Sequence, residues 1–342
     1  MHEPPANLST EQIRACLHAQ YGLTATGITF LPLGHDPAAW VYRVLSEDAH
    51  AYFLKVQLRV RNQAGLRVPR LLQDQGMRQV VAPLPTSTGA LWANAHGYAI
   101  VLYPFIAGTN GMQQRLSDQQ WTEYGALLRQ LHETPVTPEL AAIVRRDTYA
   151  PFGAAQIRLL DAEIGGRTFD DPAHQALAAS WQSERDTILR LVDRAEVLGG
   201  QLVQAAPRQV PCHADIHTGN VLLDTDGRVW IVDWDETILA PRERDLMFAV
   251  GGISSQLVTP PETARFLDGY RPVTIDPLAL AYYRYAWAVA DIWAYAETVF
   301  ARPDLSVQLR LSEVGIFRSL FAPGNIVSIA LASNLARLPQ DL

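Results

Sequence analysis

The stretch His213-Ala214-Asp215-Ile216-His217-Thr218-Gly219-Asn220 decides how this chain is read. It continues through Val221-Leu222-Leu223, an Asp226-Gly227 turn and Val229-Trp230-Ile231-Val232-Asp233-Trp234-Asp235. Two short apolar runs joined by an Asp-Gly pair form a β-hairpin. A polar loop leads into the hairpin and an acid follows it. Asn220 and Asp233 therefore stand side by side at its two ends, with Asp215 five positions before Asn220. Carboxylate and amide oxygens are the donors that a hard divalent cation takes. Phosphoryl transfer needs such ligands, and one more carboxylate to orient the attacking hydroxyl and accept its proton. This spacing can meet both needs.

Outward from the hairpin the chain changes character. Ser9 with Gln12 makes a capping-box pattern, and Ile13, Cys16, Leu17 and Tyr21 recur at helical spacing, so a first helix ends at Gly22. β-like runs follow at 28–33, 40–45 and 52–56, with turn formers between them. A short helix over 67–73 comes next, where Pro69 marks a first turn or a kink, and then strands at 90–93 and 98–105. From Ser117 helical patterns dominate, over 118–133, 154–163 and 172–198, and they resume after the hairpin. A strand-rich segment, 1–105, followed by a helical one, 106–342, with an embedded catalytic hairpin is an α+β, two-lobed plan.

The second signal is Lys55, the only lysine in 342 residues. It lies in Tyr52-Phe53-Leu54-Lys55-Val56, between apolar neighbours. A lineage that uses Arg wherever a surface cation suffices has kept Lys here. A compact ammonium on a flexible stem suits phosphate oxygens in a way that a planar guanidinium does not.

The loop and hairpin resemble the catalytic and metal-binding segments of the aminoglycoside phosphotransferase family, relatives of the protein kinases. The kinase H-R-D-x-x-x-x-N pattern falls on His213-Ala214-Asp215 with Asn220, and the D-F-G aspartate on Asp233, followed by Trp234-Asp235. Tyr103-Pro104-Phe105-Ile106, Asn110-Gly111, Arg129 to Glu133 and Ala240 to Leu246 are similar to the spectinomycin phosphotransferase branch. The resemblance implies a protein-kinase-like fold, Asp215 as catalytic base, and Asn220 and Asp233 as Mg²⁺ ligands. It implies Lys55 on the phosphates of ATP or GTP, and backbone around Tyr103, Phe105 and Ile106 on the base. The segment Gly34-His35-Asp36-Pro37-Ala38 would cover the phosphates with one glycine in place of a G-x-G-x-x-G. Kinases pair the strand lysine with a helix glutamate, yet 56–73 holds no acid; Gln63 is the nearest match and Asp74 the next acid along. His213 is read as a packing residue of the loop.

The acceptor is the open question. Tyr282, Tyr283, Tyr285, Trp287, Trp293 and Tyr295 crowd fourteen residues, and aromatic faces can hold a ring or a cation. With Asp235, Glu236 and Asp291 they suit a cationic amine, and Tyr285, Trp287 and the three acids are the candidate substrate residues. An aminocyclitol or aminoglycoside antibiotic is the first reading. A metabolite kinase for a choline-like amine, sugar or amino alcohol is the second, and a nucleotide-binding pseudokinase the third. His213-x-Asp215-x-His217 could open a transition-metal hydrolase site, but no second His/Asp cluster completes it. There is no G-x-S-x-G elbow and no Walker A motif.

Bulk properties narrow the field. A net charge of −7 argues against non-specific nucleic-acid binding. Cys16 and Cys212 lie far apart, which suits a reducing cytoplasm, and residues 1–9 carry no signal-peptide pattern. The apolar stretch Leu278 to Phe300 is broken by Arg284, Asp291 and Glu297, so a buried helix is expected there, with no membrane contact.

Overall fold

The computed structural model describes residues 3–5, 7–33 and 38–333. By packing, the chain forms two compact units: Met1–Arg145 with His213–Ile238, and Arg146–Cys212 with Leu239–Leu342. The first unit opens with α1 (Thr10–Tyr21), β1 (Ala25–Leu31), β2 (Ala39–Ser46), β3 (Ala51–Gln57) and α2 (Ala64–Asp74). It continues with β4 (Ala93–Ala95), β5 (Tyr98–Pro104), β6 (Gly108–Asn110), α3 (Asp118–Glu133) and α4 (Pro138–Ile143). The second unit holds α5 (Ala154–Gly166), α6 (Pro172–Ala205) and β7 (Val210–Cys212). The chain returns to the first for β8 (Val221–Asp224) and β9 (Val229–Ile231). It ends with β10 (Ile238–Ala240), α7 (Glu243–Leu246), α8 (Pro260–Tyr270), α9 (Pro277–Ala301), α10 (Val307–Ser319) and α11 (Ile326–Ala332).

Local chemistry explains the first unit. Ser9 and Gln12 exchange the two capping-box hydrogen bonds, at 3.2 and 2.8 Å, and Gly22 stops α1 at φ 63°. Five antiparallel strands pair in the order β1-β2-β3-β5-β4. Tyr42, Val44, Leu54, Val56, Ile100 and Leu102 face one side and close a core with Ile13, Cys16 and Leu17 of α1. Each fully buried Leu, Ile or Val there contributes about 1.5–3 kcal/mol. The two-residue period of a strand then turns Lys55, between Leu54 and Val56, to the opposite face, in register with Val41 and Val101. A second, three-stranded sheet runs β6-β8-β9 and contains the catalytic hairpin.

Several elements depart from the sequence reading: β1 runs over 25–31 instead of 28–33, and α2 over 64–74 instead of 67–73. β4 lies at 93–95 instead of 90–93. α6 continues past the expected end at Leu198 to Ala205. The cause is packing: a Cβ at Gly199 would stand 2.2 Å from the Tyr149 carbonyl oxygen, so this glycine admits a neighbouring backbone and does not cap the helix. In the second unit α6 packs on α9 and α10, with Trp181 stacked on Phe317 at 6.0 Å. Among the described residues no helix is long and apolar enough to cross a membrane.

Candidate active site

The loop 213–220 is held by its own buried imidazole. His213 is fully buried, its Nε2 donates to the Val232 carbonyl at 2.9 Å, and its Nδ1 accepts the Asp215 N–H at 3.2 Å. The ring lies 4.7 Å from that of Trp234. Ala214 between them sits at φ 71°, a left-handed conformation costing about 1–3 kcal/mol that persists only where surroundings enforce it. On either side of this kink, His213 is fully buried and Asp215 partly exposed.

Asn220 joins this loop to the hairpin. Its amide nitrogen donates to the Asp215 backbone oxygen at 2.7 Å and to Asp215 Oδ2 at 3.1 Å. Its backbone carbonyl accepts the Val232 N–H at 3.1 Å, which fixes Asp233 one residue further on. Asn110-Gly111 supports the same point, because the Gly111 N–H reaches the Thr218 and Val221 carbonyls at 2.9 and 3.0 Å. His217 Nε2 stands 3.5 Å from Asp215 Oδ1, and its Nδ1 accepts the Gly219 N–H. Burial, with His213 nearby, pulls the His217 imidazole down to about 4 against the opposing pull of Asp233. The same burial disfavours a charged His217 beside Asp215.

Asp233 adopts φ 60°, the second left-handed non-glycine residue of the site, and its side chain is half exposed. The donor set fits Mg²⁺: with the Asn220 nitrogen turned to Asp215, the amide oxygen and the Asp233 carboxylate would offer it hard oxygen donors.

Lys55 completes the cluster. Its Nζ lies 2.7 Å from Asp235 Oδ2 and 3.3 Å from Asp233 Oδ1. Burial pulls the pKa of this amine down, but Asp233 and Asp235 together raise it above the ordinary lysine range. Sequence reading found Lys55 and both acids but gave Asp235 to the substrate; the structure places it on the lysine. It also missed Asn62, whose side chain donates to the Asp235 and Thr237 carbonyls at 2.8 and 3.0 Å. The available signal was the pairing of an acid-free 56–73 with a second acid two residues after Asp233.

The other expected residues are less gathered. Tyr103 lies on the Lys55 face of β5, edge-on to Phe53, and burial raises its phenol. The Phe105 N–H is engaged by the Ala51 carbonyl at 3.3 Å, and Arg43 sits over its ring; Ile106 follows, half-buried. Glu236 is exposed and pairs with Arg145 at 3.1 Å. Residues 34–37 of the expected phosphate-covering segment lie outside the described residues. In the second unit Tyr285 is buried, Trp287 packs edge-on to Phe248, and the Arg244 guanidinium covers Trp287 at 5.0 Å and Tyr283 at 5.8 Å. Burial lifts the Asp291 carboxyl to about 7 against the pull of Trp287 and Arg244.

A loop carrying Asp215 and Asn220, an acid-ended hairpin and a strand lysine are the parts expected of a phosphotransferase of the protein-kinase-like class. Residues 28–293 match the phosphotransferase enzyme family, and the chain belongs to it. Among solved structures, it is 33% identical to spectinomycin phosphotransferase APH(9)-Ia in complex with ADP and spectinomycin, with a TM-score of 0.87. That match covers 96% of this chain and 99% of the other. Choline kinase LicA from Streptococcus pneumoniae shares the fold at 16% identity and a TM-score of 0.55, over 91% and 99% of the two chains. Protein StrN of Streptomyces griseus is 24% identical over 81% of each chain. The enzyme transfers a phosphoryl group to an alcohol.

Proposed function

We propose that this enzyme moves the γ-phosphoryl of ATP or GTP to a hydroxyl of an aminocyclitol antibiotic. The observation that carries this reading is the end-to-end similarity to a spectinomycin phosphotransferase, at 33% identity over 96% of the chain. In this reading Asp215, tethered by Asn220, orients the acceptor hydroxyl and receives its proton. Lys55 holds the phosphate oxygens of the donor, under a nucleotide-covering lobe formed by residues 1–105. Asn220 and Asp233 hold Mg²⁺, which when bound neutralises charge on the transferring phosphates. Catalysis of this kind is mainly positioning and charge compensation.

Asp291 remains the acid of the helical unit proposed for an acceptor amine. An open aromatic cage, the usual device for a choline-like cation, is not favoured, since Arg244 already covers Tyr283 and Trp287. A phosphorylation screen with ATP and GTP against aminocyclitols, aminoglycosides, choline and amino alcohols tests the proposal. The expected result is phosphorylation of an aminocyclitol, and raised tolerance when the gene is expressed in a sensitive bacterium, cancelled by Asp215→Asn. Robust turnover of a cellular amine or alcohol with no antibiotic modified would overturn it.

A further inference from the structure

In protein kinases the strand lysine is steered by a glutamate on the helix that follows it. Here 56–73 holds no acid, and the one acid of that helix, Asp74 at its last position, is engaged by Arg70 at 3.0 Å, yet Lys55 is not left alone. Its shorter contact, 2.7 Å, is to Asp235, and the lysine side chain is only 14% exposed. We propose that Asp235 is the positioning residue of Lys55, taking the place of the helix glutamate, and that α2 acts on Lys55 only through the segment carrying Asp235.

Three observations support the exchange. First, the start of α2 grips that segment by backbone and amide contacts. Asn62 donates to the carbonyls of Asp235 and Thr237, while its own Oδ1 accepts the Ala64 N–H at 3.1 Å. Second, Gly65 sits directly against the segment: a Cβ there would stand 2.7 Å from the Trp234 carbonyl oxygen and 3.0 Å from Asp235 Cα. A helix packed this closely has no room to interpose a glutamate at that point, and a side chain is not needed to transmit its position. Third, the segment is internally tied, since the Thr237 hydroxyl and N–H both reach the Trp234 carbonyl, at 2.6 and 3.1 Å. The acid has moved from helix to loop, and the helix has become the clamp on that loop. Asp233 is the more distant partner, at 3.3 Å, and is one of the two metal candidates, so Asp235 is the acid available to Lys55 throughout the reaction.

This inference rests on the phosphotransferase reading but not on any particular acceptor. Because Lys55 is the only lysine, protein labelled with lysine carrying ¹³C at the ε carbon gives one side-chain resonance that reports on it alone. Asp235→Asn is expected to move that resonance in the metal-free, nucleotide-free protein. Nucleotide affinity measured by calorimetry without metal should weaken about tenfold or more, as for loss of a charge-assisted hydrogen bond. The Mg²⁺ concentration for half-maximal activity should move by less than about twofold, since no metal ligand is removed. Asp235→Glu should recover part of the nucleotide affinity, and Asn62→Ala, which leaves every carboxylate in place, should move the lysine resonance in the same direction. An unchanged lysine resonance in Asp235→Asn overturns the proposal. A raised Mg²⁺ requirement with unaltered metal-free nucleotide affinity also overturns it, and would make Asp235 a metal ligand. Failure of the antibiotic reading alone would leave all of these readouts intact.

Discussion

Replacing His213 by alanine separates a structural histidine from a catalytic one. The ring is fully buried, bonds the Val232 carbonyl at 2.9 Å and the Asp215 N–H at 3.2 Å, and packs on Trp234 at 4.7 Å. Each lost hydrogen bond costs about 1 kcal/mol, since Val232 and Asp215 are partly exposed and water can reach them. The aromatic contact adds about 0.5–1.5 kcal/mol. With the cavity left behind, His213→Ala should cost about 3–5 kcal/mol. Turnover should fall as well, because the Asp215 N–H loses its anchor, but nucleotide affinity should stay close to the parent value. His213→Gln, which can still donate toward Val232, should recover part of the stability. Urea unfolding followed by tryptophan fluorescence gives the first quantity and steady-state kinetics the second. A variant as stable as the parent whose turnover nonetheless collapses would refute this reasoning and make His213 a participant in the chemistry.

The remaining predictions concern single carboxylates. Asp215→Asn keeps an oxygen for the Asn220 amide but loses the base, so kcat should drop by at least ~100-fold with nucleotide binding retained; near-normal turnover would remove Asp215 from the mechanism. Asp233→Ala should abolish Mg²⁺-dependent nucleotide binding without unfolding the protein, and unchanged calorimetric affinity for the Mg²⁺-nucleotide would contradict the metal assignment. Asp291 has its carboxyl raised from 3.8 to about 7, so the folded chain binds more protons than the unfolded one across that interval, and stability falls as pH rises through it. Asp291→Asn should therefore melt higher than the parent above about pH 7 and match it below about pH 4; a pH-independent difference in thermal melts would count against this account.

Much of this was written locally. The cap at Ser9, the limits of α3 at Asp118 and Glu133, and the hairpin from Val221 to Ile231 follow from side chains a few residues apart. Such short-range chemistry is what a linear sequence displays. Lys55 was legible for a different reason, as a lone lysine in a chain that otherwise uses arginine. Its partner was not, because Asp235 and Asn62 are brought to it by the approach of α2 to a distant loop. The length of α6 beyond Leu198 escaped for the same reason: Gly199 lies against the Tyr149 backbone, a contact the sequence does not display. The aromatic run in α9 suggested a pocket for a ring or a cation, and only the packed structure reveals Arg244 over Tyr283 and Trp287.

The cluster around Lys55 also has consequences for how the protein is made. Lys55 and its two acids are separated by 178 and 180 positions along the chain, and residues Arg146–Cys212 between them belong to the other compact unit. Contacts of such sequence separation close late, because the chain entropy of bringing the ends together must be met first. On the ribosome, β3 emerges long before its counter-charges, and the amine stays solvated until the hairpin and the segment after it arrive. Asn220, Asp233 and Asp235 all lie in that later stretch, 220–235. Substitutions that slow hairpin formation should accordingly lower the yield of folded enzyme in cells while leaving the turnover of the molecules that do fold unchanged.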